Sequence, residues 1–313
     1  MNKHLLLSEF LTTPWALMPE RLQAMAGVLT RWSAGEPPTD EAMFQIQSER
    51  VLRDTRKQMA AANAGSGIAV LPLYGVVTQR GNMVDDISGP GSTSTQQFTS
   101  ALRQVLADDT VGQILIDIDS PGGSVYGVAE LASEIVKARA QKPVVAVANS
   151  LAASAAYWIG CSASEFYVTP GGEVGSIGVW QAHFDYSKAL EEEGVKTTLI
   201  SAGKFKVEGN PYVPLDPEAQ AFMQSRVDDY YNAFIQAVAV GRGVTVDEVR
   251  NGMGEGRVLG SDAALAQCMV DGIASFDDVL ARMQAKVTGN AVRSQPQKSH
   301  SRLKQARDAL ALV

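Results

Sequence analysis

The chain has 313 residues, an apolar share of 45% and a formal net charge of −7. That length fits two domains, or one large α/β domain with extensions, and the apolar share suffices for a sizeable core. The acidic balance argues against a nucleic-acid-binding body, two cysteines cannot build a disulfide framework, and no stretch approaches the ~20 apolar residues of a membrane span.

The first segment, Leu5-Leu6-Leu7, runs straight into Ser8-Glu9 and then Pro14, too short an apolar core for an export signal. A soluble protein in the cytoplasm is expected, and buried free thiols at Cys161 and Cys268 fit a reducing compartment. Residues 1–65 read as a polar leader, with a helix over 41–62 and a hinge at Gly65-Ser66-Gly67. Ile68 to Val77 reads as one or two strands, and Gly81 to Thr95 as a Gly/Ser-rich loop. Ser94 to Ala107 has helical spacing, with Phe98, Leu102 and Val105 on one face.

Gln113-Ile114-Leu115-Ile116-Asp117-Ile118-Asp119 reads as a strand buried on both faces or nearly so. Ser120-Pro121-Gly122-Gly123 reads as a turn, followed by a helix over 125–140. Further strands are expected over 143–148, 165–169 and 196–201, with a small-residue, helix-compatible segment over 152–161. Asp216-Pro217-Glu218 is a strong helix start, and that helix should run to about Val240. Shorter helices fit 246–251 and 261–269. Strands alternating with helices imply an α/β fold with parallel pairing. From residue 284 the composition favours disorder, with a short helix over 301–312 that could form on a partner. This tail carries Lys286, Arg293, Lys298, Arg302, Lys304 and Arg307 against Asp308, so tail contacts with an acidic partner, nucleic acid or anionic lipid remain open.

Two segments carry chemistry. Gly122 and Gly123 follow a buried strand, where backbone N–H groups can approach a ligand closely and serve as an oxyanion hole. The same turn is equally a tight strand–helix connection. Ala152-Ala153-Ser154-Ala155-Ala156 surrounds a serine with methyl groups, so a substrate backbone could come close. The amide of Ala155, next after Ser154, is a second oxyanion donor. Taken alone, this run also reads as close helix packing. Ser150 competes with Ser154 but is explained by helix capping.

A serine nucleophile needs a base, and only three histidines occur: His4, His183 and His300. None has a distinctive setting. The usual substitute is a neutral lysine, and Lys204 and Lys206 lie in Ser201-Ala202-Gly203-Lys204-Phe205-Lys206. Phe205 and Val207 flank Lys206 and could desolvate it.

Taken in order, Asp119-Ser-Pro-Gly-Gly123, Ala153-Ser154-Ala-Ala-Tyr157, Gly175-Ser-Ile-Gly178 and Ala202-Gly-Lys-Phe-Lys206 ahead of Asn210-Pro211 resemble the signal peptide peptidase A family of Ser/Lys peptidases. The resemblance covers 66–283. It implies a Clp-protease/crotonase-like fold of stacked ββα units in that region and assembly into a homo-oligomeric ring. It also implies Ser154 as nucleophile, Lys206 as base, an oxyanion hole from Gly122 or Gly123 and Ala155, and a supporting role for Ser176. No metal or organic cofactor is implied. Ala155 and Ala156 depart from the glycines many members carry after the nucleophile. Without a membrane anchor, the chain looks more like the bacteriophage branch, head maturation proteases that cut scaffold or portal-associated proteins. A cellular signal-peptide-remnant peptidase and a non-proteolytic crotonase-like acyl-CoA binding protein are the alternatives.

Overall fold

A computed structural model describes residues 13–33, 67–80 and 92–287. The expected helices over 41–62 and 301–312, the loop over 81–91 and the tail beyond 287 lie outside the described residues, while residues 284–287, expected to be disordered, end a helix and residues 92–94, expected in a loop, form a strand. The described chain opens with β1 (Trp15–Leu17) and α1 (Pro19–Ser33). Next come β2 (Ile68–Tyr74), β3 (Val76–Thr78), β4 (Ser92–Ser94), α2 (Thr95–Ala107), β5 (Gln113–Ser120), β6 (Gly122–Ser124) and α3 (Val128–Ala138). They are followed by β7 (Val144–Ala153), α4 (Ala155–Gly160), β8 (Glu165–Val168), β9 (Glu173–Gly175) and α5 (Ser187–Glu192). The C-terminal part holds α6 (Pro217–Arg242), α7 (Val246–Arg250), β10 (Val258–Gly260), α8 (Ser261–Ala266), β11 (Gly272–Ile273) and α9 (Phe276–Val287).

Parallel pairing of β2, β5 and β7 builds the centre of the larger sheet, in the order β10-β9-β7-β5-β2. Strand β8 also pairs with β7, and β11 with β8. The architecture is α/β, as the alternation of elements implied. Period-two alternation in β5 divides its side chains between two cores. Ile114, Ile116 and Ile118 join Phe98 and Leu102 of α2 and Leu131 and Ile135 of α3. Leu115 joins Ile68, Val145 and Val147 under Val279, Leu280 and Met283 of α9. Each such fully buried side chain contributes about 1.5–3 kcal/mol relative to exposure, which is why β5 tolerates apolar residues on both faces.

A second, four-stranded sheet has the order β1-β6-β3-β4. It was not legible as a sheet. Gly122–Ser124, expected to be part of a turn into a helix, is a strand, and α3 starts only at Val128. Ala152 and Ala153, expected in a helix, end strand β7. The strand expected over 196–201 does not form: residues 195–201 lack regular structure and are exposed. The leader is not wholly polar packing material either, since β1 joins the domain through Trp15, Leu17, Met25 and Val76, a small core of its own.

Caps confirm several helix starts. Ser94 accepts a hydrogen bond from Gln97 N (3.3 Å) at the start of α2. Asp216 accepts one from Ala219 N (2.9 Å) ahead of Pro217 in α6. The end of α6 is fixed by a buried charge pair. Arg242 grips Asp271 with Nη1 at 2.9 Å and Nη2 at 3.0 Å, and its Nε donates to Cys268 O at 3.0 Å. Burial pushes the guanidinium pKa down, but the hydrogen bonds and charge of Asp271 outweigh it and leave the pKa raised. Asp271 also accepts from Phe166 N at 2.7 Å, tying α6 to β8. Asp271→Ala would leave a guanidinium that is 2% exposed without its counter-charge. We expect a loss of about 3–5 kcal/mol, read from urea unfolding. A loss below about 1 kcal/mol, the range of exposed pairs, would show that the pair is dispensable.

Candidate functional site

Strand β7 is kinked just before Ser154. It pairs with β8 over 145–148, then with β9 over 151–153, with Ser150 at φ 119° between the two stretches. Its pairing with β5 slips at the same level, between Ile118 and Ser120. Such a bulge re-aims the strand end. Ser150 is therefore an exposed bulge residue, not a helix cap. Ser154 sits at the junction of β7 and α4 with φ 57° and ψ −118°. A non-glycine residue held there costs on the order of 1–3 kcal/mol, strain that concentrates at functional sites.

Several contacts hold that conformation. Ser154 N donates to Gly175 O at 2.7 Å, and Trp158 N donates back to Ser154 O at 3.0 Å. Helix α4 is anchored beyond it. Tyr157 Oη donates to Met269 O (2.9 Å), and Trp158 stacks on Phe234 at 4.7 Å. The small side chains of Ala155 and Ala156 are fully buried. Ala155 N–H belongs to the first turn of α4, whose amides have no partner within the helix. Cys161, three residues beyond Trp158, is fully buried and its thiol is pushed up to about 12 by burial, so it is not a nucleophile.

Gly122 lies against Ser154. A Cβ built on Gly122 would stand 2.9 Å from Ser154 Cβ, 3.0 Å from Ala153 O and 2.3 Å from Ala16 O. Only glycine lets the two backbones approach this closely. Gly122 N donates to Ser120 Oγ at 3.2 Å, so that amide is already engaged. Gly123 is the next residue on β6. The structure thus brings Ser154, Gly122, Gly123 and Ala155 together. Ser176 follows Gly175, with φ 53° and its N–H on Arg257 O at 2.8 Å, and so braces the strand that receives Ser154 N–H.

Lys206 makes no hydrogen bond to Ser154. It lies on an exposed loop, and its Nζ has no hydrogen bond or ion pair among the described residues. Ser154 Oγ instead reaches Gly178 O at 3.5 Å. Lys204 is tied to Glu218 at 2.9 Å and lies over the Phe205 ring at 4.4 Å. His183, the histidine competitor, has Nε2 at 3.0 Å from Asn210 O, on the same loop as Lys206. Neither is hydrogen-bonded to Ser154. Among the described residues, no group of three or more His, Cys, Asp or Glu side chains could hold a metal ion.

Sequence reasoning missed Trp180 and the β1 strand. Trp180 pairs with Trp15 through both backbone hydrogen bonds (2.9 and 3.0 Å), and its Nε1 donates to Leu17 O at 2.9 Å. A signal was present: Pro14 and Pro19 bracket Trp15-Ala16-Leu17-Met18, an apolar run of strand length between breakers.

A strained serine between a parallel strand and a helix N-terminus, beside glycines, is an arrangement suited to acyl chemistry. Residues 136–289 match the model of peptidase family S49, so this part of the chain is a peptidase S49 domain. The match includes Ser154, Ser176 and Lys206, while Gly122 and Gly123 precede it. The chain is 35% identical over 251 residues to capsid assembly protease C of Escherichia phage lambda, covering 78% of this chain and 56% of that protein. It is 32% identical over 257 residues to head-tail preconnector protein GP5 of Enterobacteria phage P21, covering 80% and 50% respectively. Over 222 residues it is 30% identical to Protease 4 of Salmonella typhi, 71% of this chain and 35% of that one. The chain therefore spans about half the length of its phage relatives.

Proposed function

We propose that this chain is a serine endopeptidase of a bacteriophage or prophage, with Ser154 as nucleophile and Lys206 as base, acting on capsid scaffold or portal-associated proteins. The observation that carries the proposal is Ser154 at φ 57°, held at a strand–helix junction inside the segment that matches family S49. The phage relatives support the setting by their names. No helix of the described residues is long and apolar enough to cross a membrane. The parallel β2-β5-β7 core with covering helices agrees with a Clp-protease/crotonase-like domain over 66–283.

In this reading Ser154 Oγ attacks the peptide carbonyl carbon as its proton passes to Lys206 Nζ. The oxygen that gains charge is held by backbone amides of Gly123 and Ala155, with Gly122 shaping the approach. The C–N bond then breaks as Lys206 returns the proton to the leaving amine; water, deprotonated by Lys206, attacks the acyl ester, and its C–O bond breaks as Lys206 passes that proton to Ser154 Oγ. For this, Lys206 Nζ must come within hydrogen-bond reach of a Ser154 Oγ, in the same copy or in another. The Lys206 loop exposes Ile200 at 94% and Phe205 at 51%. Such apolar surface supports assembly into a homo-oligomer that covers it.

A β-lactone probe should acylate Ser154, located by peptide mapping, and Ser154→Ala should abolish the adduct. An adduct that persists in Ser154→Ala, or maps to Ser150, would sink the assignment. A crotonase-like reading predicts instead that acyl-CoA binds directly, which calorimetry with acetyl-CoA would detect.

A further inference from the structure

Strand β1 lies antiparallel on β6, with Trp15 opposite Ser124, Ala16 opposite Gly123 and Leu17 opposite Gly122. Flanking hydrogen bonds fix the phase of this ladder. Val125 N donates to Pro14 O (3.4 Å), and Met18 N donates to Pro121 O (3.2 Å). Hydrogen-bonded pairs alternate along an antiparallel ladder, so Ala16 and Gly123 are the bonded pair between these two. The Gly123 amide therefore faces the carbonyl of Ala16. That carbonyl oxygen and Ser154 Cβ are the two nearest neighbours of a Cβ built on Gly122, at 2.3 and 2.9 Å. The other edge of β1 is also taken, since Trp15 exchanges both backbone hydrogen bonds with Trp180. Trp180 Nε1 closes the set on Leu17 O. Under this strand Ser154 is 1% exposed and Ala16 is fully buried.

An extended segment with a strand on one side, a backbone bridge on the other and one carbonyl beside a candidate nucleophile is how a peptide would be presented for cleavage. We infer that Trp15–Leu17 occupies the peptide seat of the Ser154 site as a stand-in for substrate. Release of β1 then gates access to Ser154, and the residue that replaces Ala16 in a substrate must be small. The inference rests on the peptidase reading of Ser154. Size selection follows from burial: Ala16 is fully buried in the main core, whereas Trp15 and Leu17 sit on the small core with Met25 and Val76.

The test uses the full chain. Trp15→Ala/Leu17→Ala removes the side-chain anchors of β1 and leaves every proposed catalytic group in place. Two readouts are followed: the rate of β-lactone acylation of Ser154, and hydrogen exchange at the amides of position 15 and of Trp180. We expect exchange to become fast and acylation to rise at least about tenfold, because the competent population is no longer limited by a bound strand. The nonapeptide Thr-Thr-Pro-Trp-Ala-Leu-Met-Pro-Glu, added in trans, should slow acylation again, and its counterpart with Trp in place of Ala should not. If the double substitution leaves the two amides protected, Ala16→Asp releases the strand by burying a carboxylate. Fast exchange with acylation unchanged from wild type overturns the inference and leaves the peptidase reading standing. No acylation in any variant once the strand is free overturns both.

Discussion

Lys206→Ala should lower peptide turnover by roughly 10⁴- to 10⁶-fold, the scale seen when one member of a catalytic unit is removed, and should leave the melting temperature unchanged. The second half of this expectation follows from the structure. Lys206 is exposed, and its ammonium group has no partner among the described residues. Its stem covers no core, so truncating it costs nothing in packing. Any effect on turnover is then chemical. Lys204 provides the contrast two residues away. It has an ion pair with Glu218 at 2.9 Å and a ring contact with Phe205, yet both partners are exposed, so Lys204→Ala should shift stability by well under about 1 kcal/mol and leave turnover intact. Measuring kcat/KM and thermal unfolding on the same samples separates the two. A Lys206→Ala variant with undiminished turnover would move the base elsewhere, and His183→Ala would be the next substitution to measure.

Where a segment's structure is decided by its own residues, the sequence reading was close. The apolar run of β5 and the 3.6-residue spacing of α2 each encode their own burial, and Asp216-Pro217 encodes the start of α6 within its own backbone. The segments misread are those decided by a distant partner. Thr197-Thr198-Leu199-Ile200 has high β-propensity, but no strand lies beside it, and Ile200 stands 94% exposed. Propensity without a neighbour does not make a strand. The opposite error occurred at Gly122-Gly123, which local preference places in a turn. It is a strand because β1 and β3 pair with it from either side, and those partners come from residues 15–17 and 76–78. The candidate site divides in the same way. Ser154 and its glycine neighbours were found because small residues cluster in sequence where backbones crowd in space. Trp180 and Ala16 were not, because their relation to Ser154 exists only through pairing across more than a hundred residues of chain.

That crowding makes Gly123→Ala the most damaging single-methyl change we expect in the described chain. A Cβ at Gly123 would lie 1.8 Å from Val77 O and 2.5 Å from Val77 C. Both are backbone atoms, so no side-chain rotation relieves the clash, and β6 must separate from β3. Val77 is fully buried and its position is fixed by parallel pairing with Thr93, so the displacement would propagate into β4 or back into β1. Overpacking of a well-filled interior costs about 1–3 kcal/mol, and more when backbone must shift. At least the upper end applies here, a fall in Tm of roughly 10 °C for a domain of this size. Gly171→Ala is the matching control, since its Cβ would meet nothing within 4 Å and its φ is not positive. It should be neutral or slightly stabilising, by up to about 1 kcal/mol. The same displacement would carry the Gly123 amide away from Ser154. Gly123→Ala should therefore also lose acylation of Ser154 at temperatures well below its own melting point, where a purely global destabilisation would leave the folded fraction fully reactive. Acylation that simply tracks the folded fraction would show that the Gly123 amide takes no part in holding the oxyanion.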